Sequence, residues 1–207
     1  MPNSPNIDTV VFDLGGVLID WNPVYLFRQI FEDESEMHHF LTHVCSPHWN
    51  EQQDAGRSVA EATELLVREH PQYEAQIRAY YGRWEEMLGG PILGTVDILE
   101  TLHSRGSHRL YALTNWSDET FPLALSRFDF LQRFEDILVS GKEKMKKPEP
   151  RIFHLMAERF GINPASAIFI DDNPRNVEVA EEIGFHAVRF HSPGQLREAL
   201  AEKGILY

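Results

Sequence analysis

The stretch VVFDLGGVLID, residues 10–20, sets three β-branched or aromatic residues in a row and places a carboxylate, Asp13, directly behind them. A strand buried on both faces reads as a continuous apolar run. Charge resists leaving water, so Asp13 marks the point where that strand leaves the sheet. Far downstream, AIFIDDN, residues 167–173, repeats the arrangement with Asp171 and Asp172. In open α/β sheets ligands bind beyond the carboxyl ends of the strands. Three acids brought to that edge suit a hard cation such as Mg²⁺, which takes oxygen ligands.

The rest of the chain supports this sheet. A strand is predicted over 9–13, and no further sheet-like run follows until HRLYALTN, 108–115. The residues between read as about four helices. Asn22 with Pro23, Asp33 with Glu36, and Ser58 with Glu61 have the spacing of helix starts, and Ile77, Tyr80, Tyr81, Trp84 and Leu88 recur at helical intervals. From Gly89-Gly90-Pro91 onward strands and helices alternate: strands at 109–114, 136–140, 167–171 and 186–190, with helices near 94–105, 118–127, 149–160, 175–183 and 194–203. Such alternation means right-handed βαβ units and a parallel sheet. The predicted fold is a doubly wound α/β core, residues 1–20 and 89–207, carrying an inserted α-helical cap, residues 21–88.

Composition narrows the partners. Of 207 residues 43% are hydrophobic, enough for a full core. The net charge of −13 argues against nucleic acid and anionic membrane surfaces. The single cysteine, Cys45, excludes an internal disulfide framework and fits a reducing compartment. The N-terminal MPNSPNIDT is polar and lacks the apolar region of a signal peptide. The expectation is a cytoplasmic protein with a small-molecule partner, monomeric or homodimeric.

Four chemically suggestive elements fall at strand ends or just beyond: Asp13, Thr114-Asn115, Lys147-Pro148 and Asp171-Asp172. Each alone has an ordinary explanation as a helix cap, a turn or a solvated charge. In this order, FDLGGVLID, LTNWS, KKPEPRIF and FIDDNPRNV resemble the four motifs of the haloacid dehalogenase-like hydrolase superfamily, most of whose members are phosphatases. The resemblance covers the whole chain and is strongest to small cap-bearing phosphatases with a DLGG or DLGN first motif.

The resemblance implies that Asp13 is a nucleophile forming an aspartyl phosphate. It implies that Asp172 and the backbone carbonyl of Gly15 bind Mg²⁺ alongside Asp13, with Asp171 as a ligand or in support. Thr114 and the backbone of Asn115 would hold phosphate oxygens, and Lys147 would neutralise phosphate and steady Asp13. The expected substrate is a small phosphorylated metabolite. The same scaffold also supports 2-haloacid dehalogenation through an aspartyl ester without metal; the adjacent acids 171 and 172 count against that, because they would oppose an anionic substrate.

One departure stands out. Phosphatases of this superfamily commonly carry an acid–base Asp two residues after the nucleophile, and here that position is Gly15. Glycine has no side chain to donate a proton, which keeps a catalytically silent binding module in play. If activity is retained, poor leaving groups suffer most, so a sugar 1-phosphate is expected to be preferred over the matching 6-phosphate. In the cap, CSPHWNEQQDAGR, 45–57, reads as a loop selecting substrate through Trp49, Asn50 and Gln53, or alternatively as an ordinary solvated loop. His38, His39, His43 and His48 lack a compact ligand pattern. Tyr80, Tyr81 and Trp84 read as cap core. The run containing Lys142, Lys144, Lys146 and Lys147 reads as a solvated loop ending in one functional lysine.

Overall fold

In a computed structural model that describes residues 7–206, seven strands form two sheets. They are β1 Thr9–Phe12, β2 Ile19–Trp21, β3 Leu88–Pro91, β4 Arg109–Thr114, β5 Asp136–Val139, β6 Ala167–Asp171 and β7 His186–Arg189. The polar residues 1–6 and the last residue of the expected core range lie outside the described residues. The main sheet is parallel throughout, in the order β5-β4-β1-β6-β7. The chain runs from β1 outward to β5, then returns across β1 to build β6 and β7. The strand order therefore reverses at β1, and the crevice at its carboxyl end is the place such folds bind ligands.

Helices α1 Val24–Phe27, α2 Glu34–His39, α3 Pro47–Asp54, α4 Val59–Glu69 and α5 Glu74–Gly82 make up the insertion. The core carries α6 Leu93–Arg105, α7 Phe121–Arg127, α8 Ser140–Glu143, α9 Pro150–Phe160, α10 Pro174–Ile183 and α11 Pro193–Glu202. Strand side chains alternate between two apolar layers, as the two-residue period demands. Val10, Phe12, Ala112, Ile168 and Ile170 pack toward α6 and α11. Val11, Tyr111, Leu113 and Phe169 pack toward α9 and α10. The apolar interior of the insertion, including Phe27, Phe40 and Tyr80, is continuous with the first of these layers.

Two local expectations differ from the structure. Ile19–Trp21 and Leu88–Pro91, for which the sequence predicts no strand, pair antiparallel into a ribbon where the chain enters and leaves the insertion. Strands this short carry too little alternation to be legible. The 45–57 segment is mostly helix rather than loop. Ser46 Oγ accepts from Trp49 N at 3.2 Å, and Pro47 starts α3. Helix α3 stops before Gly56, whose φ of +89° disfavours any residue with a side chain. There the insertion meets the core so closely that a Cβ on Gly56 would lie 2.9 Å from the Gly141 carbonyl oxygen.

Candidate active site

Asp13 follows β1 and stays in the ladder, its N–H donating to the Ile170 carbonyl at 2.8 Å. Its Oδ1 accepts from Leu14 N at 2.7 Å and faces Lys147 Nζ at 2.9 Å. Lys147 arrives from the segment after α8 and is buried. Its ammonium donates onward to Asp171 Oδ2 at 2.7 Å and to the Leu113 carbonyl at 2.8 Å. Burial disfavours that ammonium, but the Asp13 and Asp171 carboxylates outweigh burial and hold its pKa above the ordinary lysine value. Burial and the neighbouring Asp171 and Asp172 push the Asp13 carboxyl upward, against the pull of Lys147.

The two strand-end acids differ. Asp171 is fully buried, and Asn176 Nδ2 donates to both its oxygens at 3.0 Å while Asn173 N adds a bond at 2.9 Å. Asp172 is exposed. Among the described residues, Asp13, Asp171 and Asp172 are the one group of three potential metal-ligating side chains, with ligand atoms within 4.8 Å of one another. These hard oxygen donors present three carboxylates against the single Lys147 ammonium, a charge set that fits a hard cation. Gly16 is required beside them: its φ is +75°, and a Cβ there would lie 2.7 Å from Asp172 Oδ2. The histidines 38, 39, 43 and 48 are exposed and join no such group.

Thr114, at the end of β4, is fully buried, and its Oγ1 has no hydrogen-bond partner within the protein. A buried hydroxyl left unpaired is costly, and this one retains its capacity to donate a hydrogen bond. The Asn115 side chain is spent on Lys147. Its Nδ2 donates to the Lys147 carbonyl at 2.9 Å and its Oδ1 accepts from Lys147 N at 2.8 Å. That clasp fixes the backbone from which the lysine reaches inward.

Beside these groups opens a cavity of about 90 Å³, bordered by both insertion and core. Gly15, Asn50 and Asn115 line it, with an aromatic wall of Trp21, Tyr81, Trp84 and Trp116. Of the three insertion residues singled out by sequence, Asn50 reaches this cavity. Trp49 and Gln53 do not line it. Trp49 is buried against Tyr80 and Tyr81, and Gln53 is fully buried, donating to Tyr81 Oη at 3.2 Å. Conversely Tyr81 and Trp84, read as cap core, face the cavity as well. Asp54 also lines it. The only sequence signal for that residue is an acid four positions after Asn50, on one helix face.

Fold and site together define a doubly wound α/β scaffold with an acidic centre at a parallel-sheet edge. The haloacid dehalogenase-like hydrolase family model matches residues 7–184, and the chain belongs to that family. A HAD family enzyme of Bacteroides thetaiotaomicron, bt-2542, solved with magnesium and inorganic phosphate, superposes with a TM-score of 0.68. It is 27% identical, with 90% of this chain and 95% of that chain covered. A phosphorylated carbohydrates phosphatase of Thermotoga maritima is 24% identical over 190 residues, 88% of this chain and 84% of that protein. (S)-2-haloacid dehalogenase 4A of Burkholderia cepacia is 31% identical over 98 residues, 47% of this chain and 42% of that protein. The chain spans less than half the length of several curated relatives it matches. Among the described residues no helix is long and apolar enough to cross a membrane.

Proposed function

We propose that the protein hydrolyses small phosphomonoesters, using Asp13 as nucleophile and Mg²⁺ as cofactor. The observation that carries this reading is the buried Lys147 ammonium bridging Asp13 and Asp171, with Asp172 alongside. A carboxylate repels a phosphate dianion, and phosphoryl transfer is mainly positioning and charge stabilisation. Asp13, Asp172 and the Gly15 carbonyl would hold the metal, with Asp171 behind them tied to Lys147 and Asn176. Mg²⁺ supplies the positive charge that lets nucleophile and phosphoryl group approach.

The protein groups divide the remaining work. An Asp13 oxygen bonds to phosphorus while the bond to the leaving oxygen breaks. Water then attacks the aspartyl phosphate, releasing inorganic phosphate and restoring Asp13. Lys147 neutralises charge on the phosphoryl oxygens, and Thr114 Oγ1 and the Asn115 backbone receive them. The cavity is aromatic and amide-lined, with no cationic side chain on its wall among the described residues. This favours a leaving group that is neutral and has an apolar face, such as a sugar ring, over one with a second anionic group.

Residues 21–88 act in this reading as a cap over the core of 1–20 and 89–207, the β2–β3 ribbon being its hinge. Closure excludes water and completes the site, as lids do. The relationship to 2-haloacid dehalogenases is one of fold and family; the carboxylates 171 and 172 beside Asp13 favour a metal-bound phosphate over a free haloacid.

The test is hydrolysis of p-nitrophenyl phosphate with Mg²⁺, with EDTA, and by Asp13→Asn. Metal-dependent turnover lost in that variant, with a phosphorylated Asp13 peptide trapped from the wild type, supports the reading. Release of halide from 2-chloropropionate in EDTA would replace it.

A further inference from the structure

We propose that Asp54, delivered by the insertion, is the acid–base residue that position 15 lacks. This rests on the phosphatase reading above. Gly15 faces open space: a Cβ built on it meets nothing within 4 Å. Among the described residues, Asp54 is the one carboxylic acid that lines the same cavity. The two residues come from different parts of the fold and border one space, which a leaving group would occupy.

Asp54 is held for such a task. It ends α3, and its carbonyl accepts from Ser140 Oγ of the core at 2.6 Å. The backbone of Ser117 favours its charged form, and Asn50 Nδ2 approaches its Oδ2 at 3.4 Å. Asn50 is in turn fixed by Tyr81 Oη at 2.8 Å, Tyr81 by Gln53 at 3.2 Å, and Gln53 by Arg57 Nε at 2.8 Å. The segment 45–57 thus acts on substrate through a chain of hydrogen bonds ending at Asp54. None of Asp54's partners is a candidate metal ligand.

The charges around Asp54 suit proton exchange near neutrality. Burial is the main influence, and Glu51 on the same helix adds to it. Lys146 and Lys147, from the segment before α9, and the Ser117 backbone pull the other way. Tyr80 and Tyr81 face it from α5, both held as neutral phenols by burial. The balance leaves its carboxyl raised to about 7, and a group poised near the working pH is the best exchanger.

The proton balance closes. As the bond from phosphorus to the leaving oxygen breaks, that oxygen takes the electron pair and the Asp54 proton, and a neutral alcohol departs. Asp54 is then a carboxylate. It removes a proton from the water that bonds to phosphorus, while the Asp13–phosphorus bond breaks. Inorganic phosphate leaves with Asp13 ionised and Asp54 protonated again. With this acid in place, Gly15 alone gives no reason to prefer anomeric phosphates.

The test compares wild type, Asp54→Asn and Asp54→Glu on p-nitrophenyl, phenyl and benzyl phosphate, esters of similar shape with successively poorer leaving groups. For Asp54→Asn, kcat/KM on benzyl phosphate should fall roughly 10²–10⁴-fold, the usual worth of general acid catalysis, and far less on p-nitrophenyl phosphate. The same variant should show a burst of p-nitrophenolate and accumulate phosphorylated Asp13, because water attack has lost its base. Asp54→Glu should recover part of the benzyl activity. Asp54→Asn/Gly15→Asp, which places an acid in the open space at 15, should do the same. An equal loss of kcat/KM on all three esters without a burst, or no loss at all, overturns the role of Asp54 and leaves the phosphatase reading standing. No turnover of any ester by wild type with Mg²⁺ overturns both.

Discussion

The Lys147 ammonium lies 2.9 Å from Asp13 Oδ1, and both side chains are buried. The lysine and the proposed nucleophile are 134 positions apart in the chain (147 − 13), and each makes the other tolerable in the interior. Removing one partner of a buried pair strands the other charge, at a cost of about 3–5 kcal/mol. Lys147→Met should therefore lower stability by that order in a denaturant titration at pH 8 and abolish turnover. Lys147→Arg should rescue neither, because a planar guanidinium is bulkier than the compact ammonium it replaces. An active, stable Lys147→Met protein would remove the lysine from the mechanism.

Asp172 separates metal binding from folding. It adds a third carboxylate beside Asp13 and Asp171 and, among the described residues, carries no ion pair of its own. Without metal, Asp172→Asn should be at least as stable as wild type, since it relieves like-charge crowding. A ligand that binds only the folded state raises stability with its concentration, so Mg²⁺ should raise the wild-type Tm clearly and that of Asp172→Asn little. Calorimetry with and without Mg²⁺ reads both halves. Equal Mg²⁺ shifts in the two proteins would place the metal elsewhere.

Asp54 predicts a pH signature in stability. Its carboxyl is raised from the ordinary 3.8 to about 7 on folding, chiefly by burial. Between those values the folded state holds a proton that the unfolded chain has released, so this group lowers stability as pH rises through the window. Above about pH 7 the penalty is fully present; near pH 4 it is absent. Asp54→Asn should thus gain on wild type at pH 8, by on the order of 1 kcal/mol or about 2–4 °C in Tm, and show little difference at pH 4.5. A stabilisation that does not change with pH would mean that the carboxyl titrates normally.

Gly56 tests how tightly insertion and core fit. Its φ is +89°, and a Cβ would also lie 2.9 Å from Lys144 Cγ. Gly106, at the end of α6, has φ +61° and nothing within 4 Å. Alanine in a left-handed conformation costs about 1–2 kcal/mol by itself. Gly106→Ala should show that cost alone, while Gly56→Ala should exceed it and lower kcat, because Asp54 lies two residues away. Equal melting shifts would mean that the docked arrangement has room to yield.

Much was legible in the chain before any packing was known. Apolar runs of four to six residues, capping residues and glycine stops act within a few positions, so they foretell all five main-sheet strands to within one residue. Asp13, Asp171 and Asp172 stood out because an acid directly after an apolar run conflicts with burial unless it serves a site. The short β2–β3 ribbon was hidden, because two strands of three and four residues gain their order from pairing with each other.

What packing alone decided is the wall of the cavity. Asp54, Trp116 and Gly15 belong to three distant segments, and nothing within any one of them says that they face the same space. A half-buried acid and a solvated one look alike in sequence, since the difference is how much water the rest of the fold removes. The same holds for Gln53, which reads as a substrate-selecting residue or part of a solvated loop and is fully buried under Tyr81. Local chemistry set the strands, the helix ends and the acids at the sheet edge; the docking of the insertion onto α8 set which side chains surround the reacting centre.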